Sequence, residues 1–165
     1  MVCSLGRLEK MPSPTLRREP LDSPVARRLI EALNAELGGR YPEAGANHFR
    51  LDPDEVAPGR GTFLVAYEGD QPVGCGAFRR LDGETAEIKR MFVVPERRGR
   101  GLGGAVLAAL EGEARAHGIV RLVLETGVRQ PDAIALYRRF GFRDIPAFGE
   151  YIGSALSVCM GKDLT

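Results

Sequence analysis

The 165-residue chain has almost no charge surplus: 23 basic against 22 acidic side chains leave a net of +1. That balance fits neither a strongly basic nucleic-acid binder nor an acidic solvating chain. No apolar run approaches the roughly 18 residues a membrane span needs. The opening stretch, MVCSLGRLEKMPSP, lacks the continuous apolar core of a secretory leader. Cysteine is scarce too. Cys3, Cys75 and Cys159 are too few for a disulfide scaffold and too far apart for a close-spaced ligand motif. No internal repeat is visible. These absences predict a reduced, cytoplasmic, metal-free protein with neither nucleic-acid nor membrane partners. The length suits one domain, and 44% apolar with 27% charged residues is ordinary for a globular one.

Residues 1–20 hold Pro12, Pro14 and Pro20 among charges without a sustained apolar period, which predicts a mobile arm ahead of a single domain over 21–165. Behind Ser23-Pro24, a cap and a first helical position, Val25, Leu29, Leu33 and Leu37 recur every four residues until Gly38-Gly39. A short helix is expected after Asp52-Pro53. Thr62–Tyr67, Gln71–Arg79 and Thr85–Val94 read as strands joined by tight turns. A helix over Leu102–His117, a strand over Arg121–Thr126 and a helix from Pro131 to Gly141 follow, with last strands near Phe142–Ile145 and Ser157–Lys162. The order predicts an α/β domain: a mixed, mostly antiparallel sheet with flanking helices and a central βαβ unit.

The chemistry concentrates in Pro95-Glu96-Arg97-Arg98-Gly99-Arg100-Gly101-Leu102-Gly103-Gly104, between a strand and a helix. Glycines let main-chain N–H groups approach a ligand, and a helix N-terminus adds unpaired donors and a positive dipole end. A diphosphate nest is the functional reading, and a solvated glycine turn the structural one. Nucleotide triphosphate chemistry fits poorly, since the run ends Gly103-Gly104-Ala105 where a P-loop needs Gly-Lys-Ser/Thr. A dinucleotide fingerprint fits better: Gly99, Gly101 and Gly104 match G-x-G-x-x-G, and Glu125 lies about 20 residues on. Against it, Pro95 to Arg98 separates the strand from the first glycine, and too little chain follows to complete a dehydrogenase.

The third reading is coenzyme A. Arg98-Gly99-Arg100-Gly101-Leu102-Gly103 resembles the R/Q-x-x-G-x-G/A signature of the GNAT superfamily of N-acetyltransferases. Ala86-Glu87-Ile88 through Val94-Pro95 is similar to the strand that leads into it, and Ala133 to Phe142 to the family's A-x-x-L-Y-x-x-x-G-F segment. The element order agrees over roughly 23–164, with the motifs sharp over about 85–142.

The resemblance implies a GNAT-like fold in which the strands flanking the crossover helix splay apart. The main chain of Met91 and Val93 would then pair with the pantetheine of acetyl-CoA, a cosubstrate. Arg98, Gly99, Arg100, Gly101, Gly103 and Gly104 would hold its pyrophosphate, and Gln130 stands where many members carry a cofactor-orienting Asn. Tyr137 matches the tyrosine that faces the sulfur and is the candidate acid, with a packed aromatic as the structural alternative. Glu87 matches a proton-accepting Glu and is the candidate base, with an ion pair to Lys89 as the alternative. Strand alternation puts Glu87, Lys89, Met91 and Val93 on one face.

The implied reaction is direct transfer of acetyl to the primary amine of a small molecule. A non-catalytic acyl-CoA sensor and a protein lysine or N-terminal acetyltransferase are the alternatives. The acceptor pocket is expected from Arg40, Tyr41, His48, Phe49 and Arg50 together with Phe148, Glu150 and Tyr151; aromatics plus charges suit a small polar or amino-acid-like amine. His48 and His117 receive no catalytic role. Cys75 and Cys159 read as buried small hydrophobes, and Cys3 as part of the arm. Dimers are frequent in the family, so the resemblance extends to a homodimer.

Overall fold

The computed structural model describes residues 13–46 and 50–164. Ser23 opens the first helix, α1 (Pro24–Arg40): its hydroxyl accepts the Ala26 N–H at 3.1 Å, and Pro24 needs no donor partner. α1 runs through Gly38-Gly39, where the sequence predicts a stop. Both glycines keep negative φ, Arg40 pairs with Glu36 at 3.4 Å, and the helix ends only where Tyr41 turns into the core ahead of Pro42. The expected short helix after Asp52 is a 3-10 turn, Pro53–Val56.

Among the described residues, seven strands form one sheet: β1 (Thr15–Arg18), β2 (Gly61–Glu68), β3 (Gln71–Arg80), β4 (Thr85–Val93), β5 (Arg121–Gly127), β6 (Arg143–Asp144) and β7 (Ser157–Asp163), ordered β1-β2-β3-β4-β5-β7-β6. Every neighbouring pair is antiparallel except β4 with β5. Between those two runs α2 (Leu102–Ala116), and α3 (Pro131–Arg139) follows β5. The predicted βαβ unit and mixed sheet are therefore present.

Thr15–Arg18, expected within the mobile arm, instead forms the edge strand β1. Four residues are too few to show a period, but pairing with β2 satisfies the backbone groups on their inner side, and the Glu19 N–H donates to the Phe63 carbonyl at 3.1 Å. Residues 1–12 of that expected arm, with Cys3, lie outside the described residues, as do His48 and Phe49.

Two cores flank the sheet. Leu29, Leu33, Phe63, Val65, Ala77 and Phe92 pack beneath α1. Phe78, Ile88, Val106, Leu110, Leu124 and Tyr137 pack on the α2–α3 side. Cys75 and Cys159 are buried, as expected.

A bulge in β4 redistributes the residues between these faces. Arg90 adopts φ of +60°, the only non-glycine residue with positive φ among those described, and the register with β3 shifts between Cys75 and Ala77. The extra chain lies opposite Gly76, where a Cβ would come within 2.6 Å of Met91 Sδ. Simple alternation would put Met91 and Val93 with Glu87 and Lys89. The bulge moves both onto the α2 side, packed against that core with Ile88, while Phe92 takes the α1 side.

Candidate active site

β4 and β5 pair only from Thr85 to Ile88 and from Arg121 to Leu124. Beyond that point β4 stays with β3 and β5 stays with β7, so the sheet opens between Lys89–Val93 and Glu125–Gly127. The Val94 N–H bonds back to the Val73 carbonyl at 2.9 Å. Strand alternation therefore turns the main-chain groups of Val93 toward the opening. Its carbonyl already accepts Arg98 Nε at 2.9 Å, which leaves the N–H as Val93's offering.

The glycine loop lies at the mouth of this opening. Gly99 and Gly101 both have φ of +80°, and Gly101 is the N-cap of α2. The first bond into α2 runs from the Ala105 N–H to the Gly101 carbonyl at 3.0 Å, so the N–H groups of Leu102, Gly103 and Gly104 precede the ladder. Gly103 and Gly104 also serve packing: a Cβ on Gly104 would lie 2.8 Å from Phe140 Cζ, and one on Gly103 would lie 3.1 Å from Leu136 Cδ2.

The arginines divide. Arg100 is exposed on the loop. The Arg98 guanidinium turns away to Glu36 on α1, with bonds of 2.8 and 2.9 Å, and holds that carboxyl below its usual range. Gln130, also assigned to the cofactor, folds back so that its Oε1 accepts the Gly127 N–H at 3.1 Å.

A narrow cavity of about 90 Å³ occupies the splay, lined by Lys89, Arg90, Glu125, Gln130, Tyr137 and Tyr151 among others. Alternation places Glu125 on the face opposite Leu124, on the α1 side, whereas Tyr137 comes from α3 on the other face. The opening lets both reach one space. Tyr137 packs edge-on against Phe142, ring centroids 5.8 Å apart. Burial, then the Glu125 charge, raises its ionisation well above the ordinary phenol range. The Glu125 charge also opposes ionisation of Tyr41, Tyr151 and Cys159, behind burial in each case. Four acids that sense one carboxylate locate it centrally. Glu125 entered the sequence reading only through the dinucleotide alternative; its signal was a carboxylate directly after the apolar run Leu122-Val123-Leu124.

Glu87 does not line this cavity. It is fully buried beneath it, with Oε1 accepting Arg79 Nε at 2.9 Å and lying 3.9 Å from Lys89 Nζ. Arg79 also bonds Glu55, and Lys89 also reaches the Arg50 carbonyl and Glu150. Oε2 has no bond of ordinary geometry. Tyr151 sits against this carboxylate, and burial followed by the Glu87 charge drives its ionisation far upward. Of the expected acceptor-pocket residues, Tyr151 lines the cavity, Glu150 faces Lys89, and Tyr41 braces the β5–α3 loop.

A larger cavity of about 440 Å³ lies at the opposite end of α2, beside His117 and between Leu21, Val56 and Phe63. It is remote from the glycine loop and the splayed strands.

A parallel pair opened past its first turns, with a glycine-rich helix start at the mouth, agrees with the comparisons. The model of the Acetyltransferase (GNAT) family matches residues 26–142, and the chain belongs to that family. It is 46% identical over 156 residues to the IAA acetyltransferase of Azospirillum brasilense, covering 93% of this chain and 100% of that one. A Klebsiella pneumoniae protein assigned as an acyl-CoA N-acyltransferase superposes with a TM-score of 0.78 at 33% identity, covering 92% of this chain and 98% of that one. A GNAT family acetyltransferase from Elizabethkingia anophelis, solved with acetyl-CoA bound, shares the fold at a TM-score of 0.66 and 20% identity, with 92% and 98% covered. No helix among the described residues is long and apolar enough to cross a membrane.

Proposed function

We propose that the protein transfers the acetyl group of acetyl-CoA directly to the primary amine of a small molecule, with Glu125 as proton acceptor and Tyr137 as donor to the departing sulfur. The observation that carries this reading is their convergence, from opposite faces of the sheet, on one cavity in the gap between β4 and β5. Family membership and the 46% identical IAA acetyltransferase support the reaction class.

The residues fit such a cosubstrate. Gly99 and Gly101 have nothing within 4 Å of a notional Cβ, so the loop is open to a bulky anion. The first-turn N–H groups, including those of Gly103 and Gly104, with Arg100 nearby, suit its diphosphate. Main chain at Met91 and Val93 lines the open edge of β4 and suits an extended amide-bearing arm. Gln130 braces the start of α3, and Arg98 shapes the mouth through Glu36.

An alkylamine with a pKa near ~10.4 arrives protonated at neutral pH. Glu125 takes one proton and passes it to solvent. The freed nitrogen attacks the thioester carbonyl, a C–N bond forms, and the C–S bond breaks. The second nitrogen proton ends on the sulfur. Tyr137 stays neutral throughout and donates a hydrogen bond to that sulfur as charge develops there. Glu87 is a positioning residue: it fixes Arg79, Lys89 and Tyr151 under the cavity floor.

The test is a free-thiol assay of acetyl-CoA with a broad amine panel, beside thermal shifts with acetyl-CoA and NAD(P). Acetyl-CoA at 100 times its Kd should stabilise the fold by about 2.7 kcal/mol, and thiol release should require an amine. Binding without turnover selects the sensor alternative. Stabilisation by NAD(P) alone overturns the reading.

A further inference from the structure

Resting on the acetyltransferase reading above, we infer that Arg98 is a positioning residue: a strut that holds the C-terminal turns of α1 over the opening between β4 and β5, where α1 walls the acceptor site. Every nitrogen of its guanidinium has a partner. Nε donates to the Val93 carbonyl at 2.9 Å, while Nη1 and Nη2 donate to the two carboxylate oxygens of Glu36 at 2.8 and 2.9 Å. Its Cζ lies 5.7 Å from the centre of the Phe92 ring, within range of a cation–π contact. Two parallel bonds to a carboxylate fix an angle as well as a distance. Arg98 therefore sets where α1 stands relative to the Val93 end of β4.

α1 meets the cavity with Leu33 and Leu37, one turn apart, opposite Ile88 and Met91 of β4 and Thr126 of β5. Glu36 belongs to the same turn and reaches the loop before α2. Across the opening, the Tyr41 hydroxyl accepts the Arg129 N–H at 2.8 Å. The helix end is thus tied to the β4 side through Arg98 and to the β5 side through Arg129, and it spans the two strands that part beneath it. Asn34 adds a tie further back by accepting from Arg90 at 3.0 Å, so losing the strut loosens only the turns beyond it. A diphosphate could draw Arg98 away only by leaving the Glu36 carboxylate unpaired beside an incoming charge of the same sign. The exposed Arg100 and the first-turn N–H groups of α2 can serve that anion with the strut intact.

The experiment follows hydrogen exchange over Leu33 to Tyr41 by mass spectrometry, with and without coenzyme A. It compares the wild type, Glu36→Gln, Arg98→Gln, their double variant and the charge-reversed pair Glu36→Arg with Arg98→Glu. Calorimetry gives acetyl-CoA affinity, and the free-thiol assay gives kcat and KM for the panel amine the wild type uses best. Each single variant should exchange roughly 3- to 5-fold faster, the worth of a part-exposed ion pair. The double variant should be no faster than Arg98→Gln alone, and the reversed pair should recover most of the protection. KM for the amine should rise by a similar factor with kcat kept, and Glu36→Gln should bind acetyl-CoA as the wild type does. Faster exchange on adding coenzyme A, or tighter acetyl-CoA binding by Glu36→Gln, would show the cosubstrate taking Arg98 from Glu36 and overturns the strut. Unchanged exchange in the variants, or additive effects of the two substitutions, overturns it too. If no amine reacts, the exchange result decides alone. A wild type that binds no acetyl-CoA overturns the acetyltransferase reading and this role with it, whereas failure of the strut in a protein that binds acetyl-CoA leaves that reading standing.

Discussion

Gly127 lies so close beneath Tyr41 that a Cβ there would overlap the tyrosine hydroxyl. That hydroxyl accepts the Arg129 N–H at 2.8 Å, and the Arg129 guanidinium stacks over the same ring, 5.1 Å from its centroid, while bonding Glu43 and the Arg40 carbonyl. The end of α1 is thereby latched to the β5–α3 loop two residues beyond Glu125. Gly127→Ala should destabilise the fold by about 1–3 kcal/mol, the usual cost of forcing atoms into a packed site. It should also lower kcat by shifting Glu125. In a Tyr41→Ala background only the flexible Gln130 Oε1, 2.9 Å from that Cβ, still obstructs, so the added cost should shrink. Urea denaturation of the four proteins measures this coupling; strictly additive effects would show that the latch does not act through this contact.

Glu125 and Glu87 should separate cleanly. Glu125→Gln removes the proposed proton acceptor and should lower kcat by about 10²- to 10⁴-fold. Glu87→Gln leaves Arg79 and Lys89 without their shared buried carboxylate. It should cost about 3 kcal/mol of stability while the folded fraction keeps most of its kcat. The reverse pattern would return the base role to Glu87.

The glycines of the loop should fail for two different reasons. Gly101 stands in open space, but its φ of +80° strains any side chain by about 1–2 kcal/mol. Gly101→Ala should therefore weaken acetyl-CoA binding whatever surrounds it. Gly104 is limited by contact with the Phe140 ring. Gly104→Ala should be rescued by Phe140→Leu, which shortens the obstructing side chain, whereas Gly101→Ala should not. Calorimetric affinity for acetyl-CoA in the single and double variants distinguishes these causes.

Much of this architecture was legible because its signals are periodic or local. Val25, Leu29 and Leu33 announced α1, and the spacing from Arg98 to Gly103 and from Ala133 to Phe142 announced the glycine loop before α2 and the place of Tyr137 on α3. What escaped depended on contacts distant in sequence. Gly38-Gly39 reads as a stop until Tyr41 is seen docked against Arg129, 88 residues away. Nothing in Glu87-Ile88-Lys89-Arg90-Met91 reveals a bulge. The room for it comes from Gly76 on the neighbouring strand, whose missing Cβ leaves space that Met91 fills together with Val106 and Leu110 on the helix above. That one inserted residue moves Met91 and Val93 across the sheet and brings Arg90 into the cavity. Glu125 was hidden for the same reason, since it matters only where two strands part.

Cys75 gives the site's underside a pH signature. The thiol is fully buried and donates to the Arg90 carbonyl at 3.3 Å, and burial pushes its pKa from 9.0 up to about 12. A raised native pKa means that the unfolded chain releases this proton first. The associated stability is therefore complete below pH 9 and disappears as the pH climbs toward 12. Tyr67, raised to about 12 by burial and the Glu19 carboxylate, adds to the decline above pH 10. Lys89 works in the opposite direction, because burial lowers its pKa from 10.5 and its share of stability grows as the pH approaches that value. A wild-type profile alone would mix these trends, whereas a comparison with Cys75→Ala isolates the thiol. The stability advantage of the wild type over Cys75→Ala should shrink by about 1.4 kcal/mol between pH 8 and 10, measured by urea denaturation under reducing conditions. A constant difference across that range would mean that the thiol ionises equally in both states, contrary to its placement beneath the Arg90 bulge.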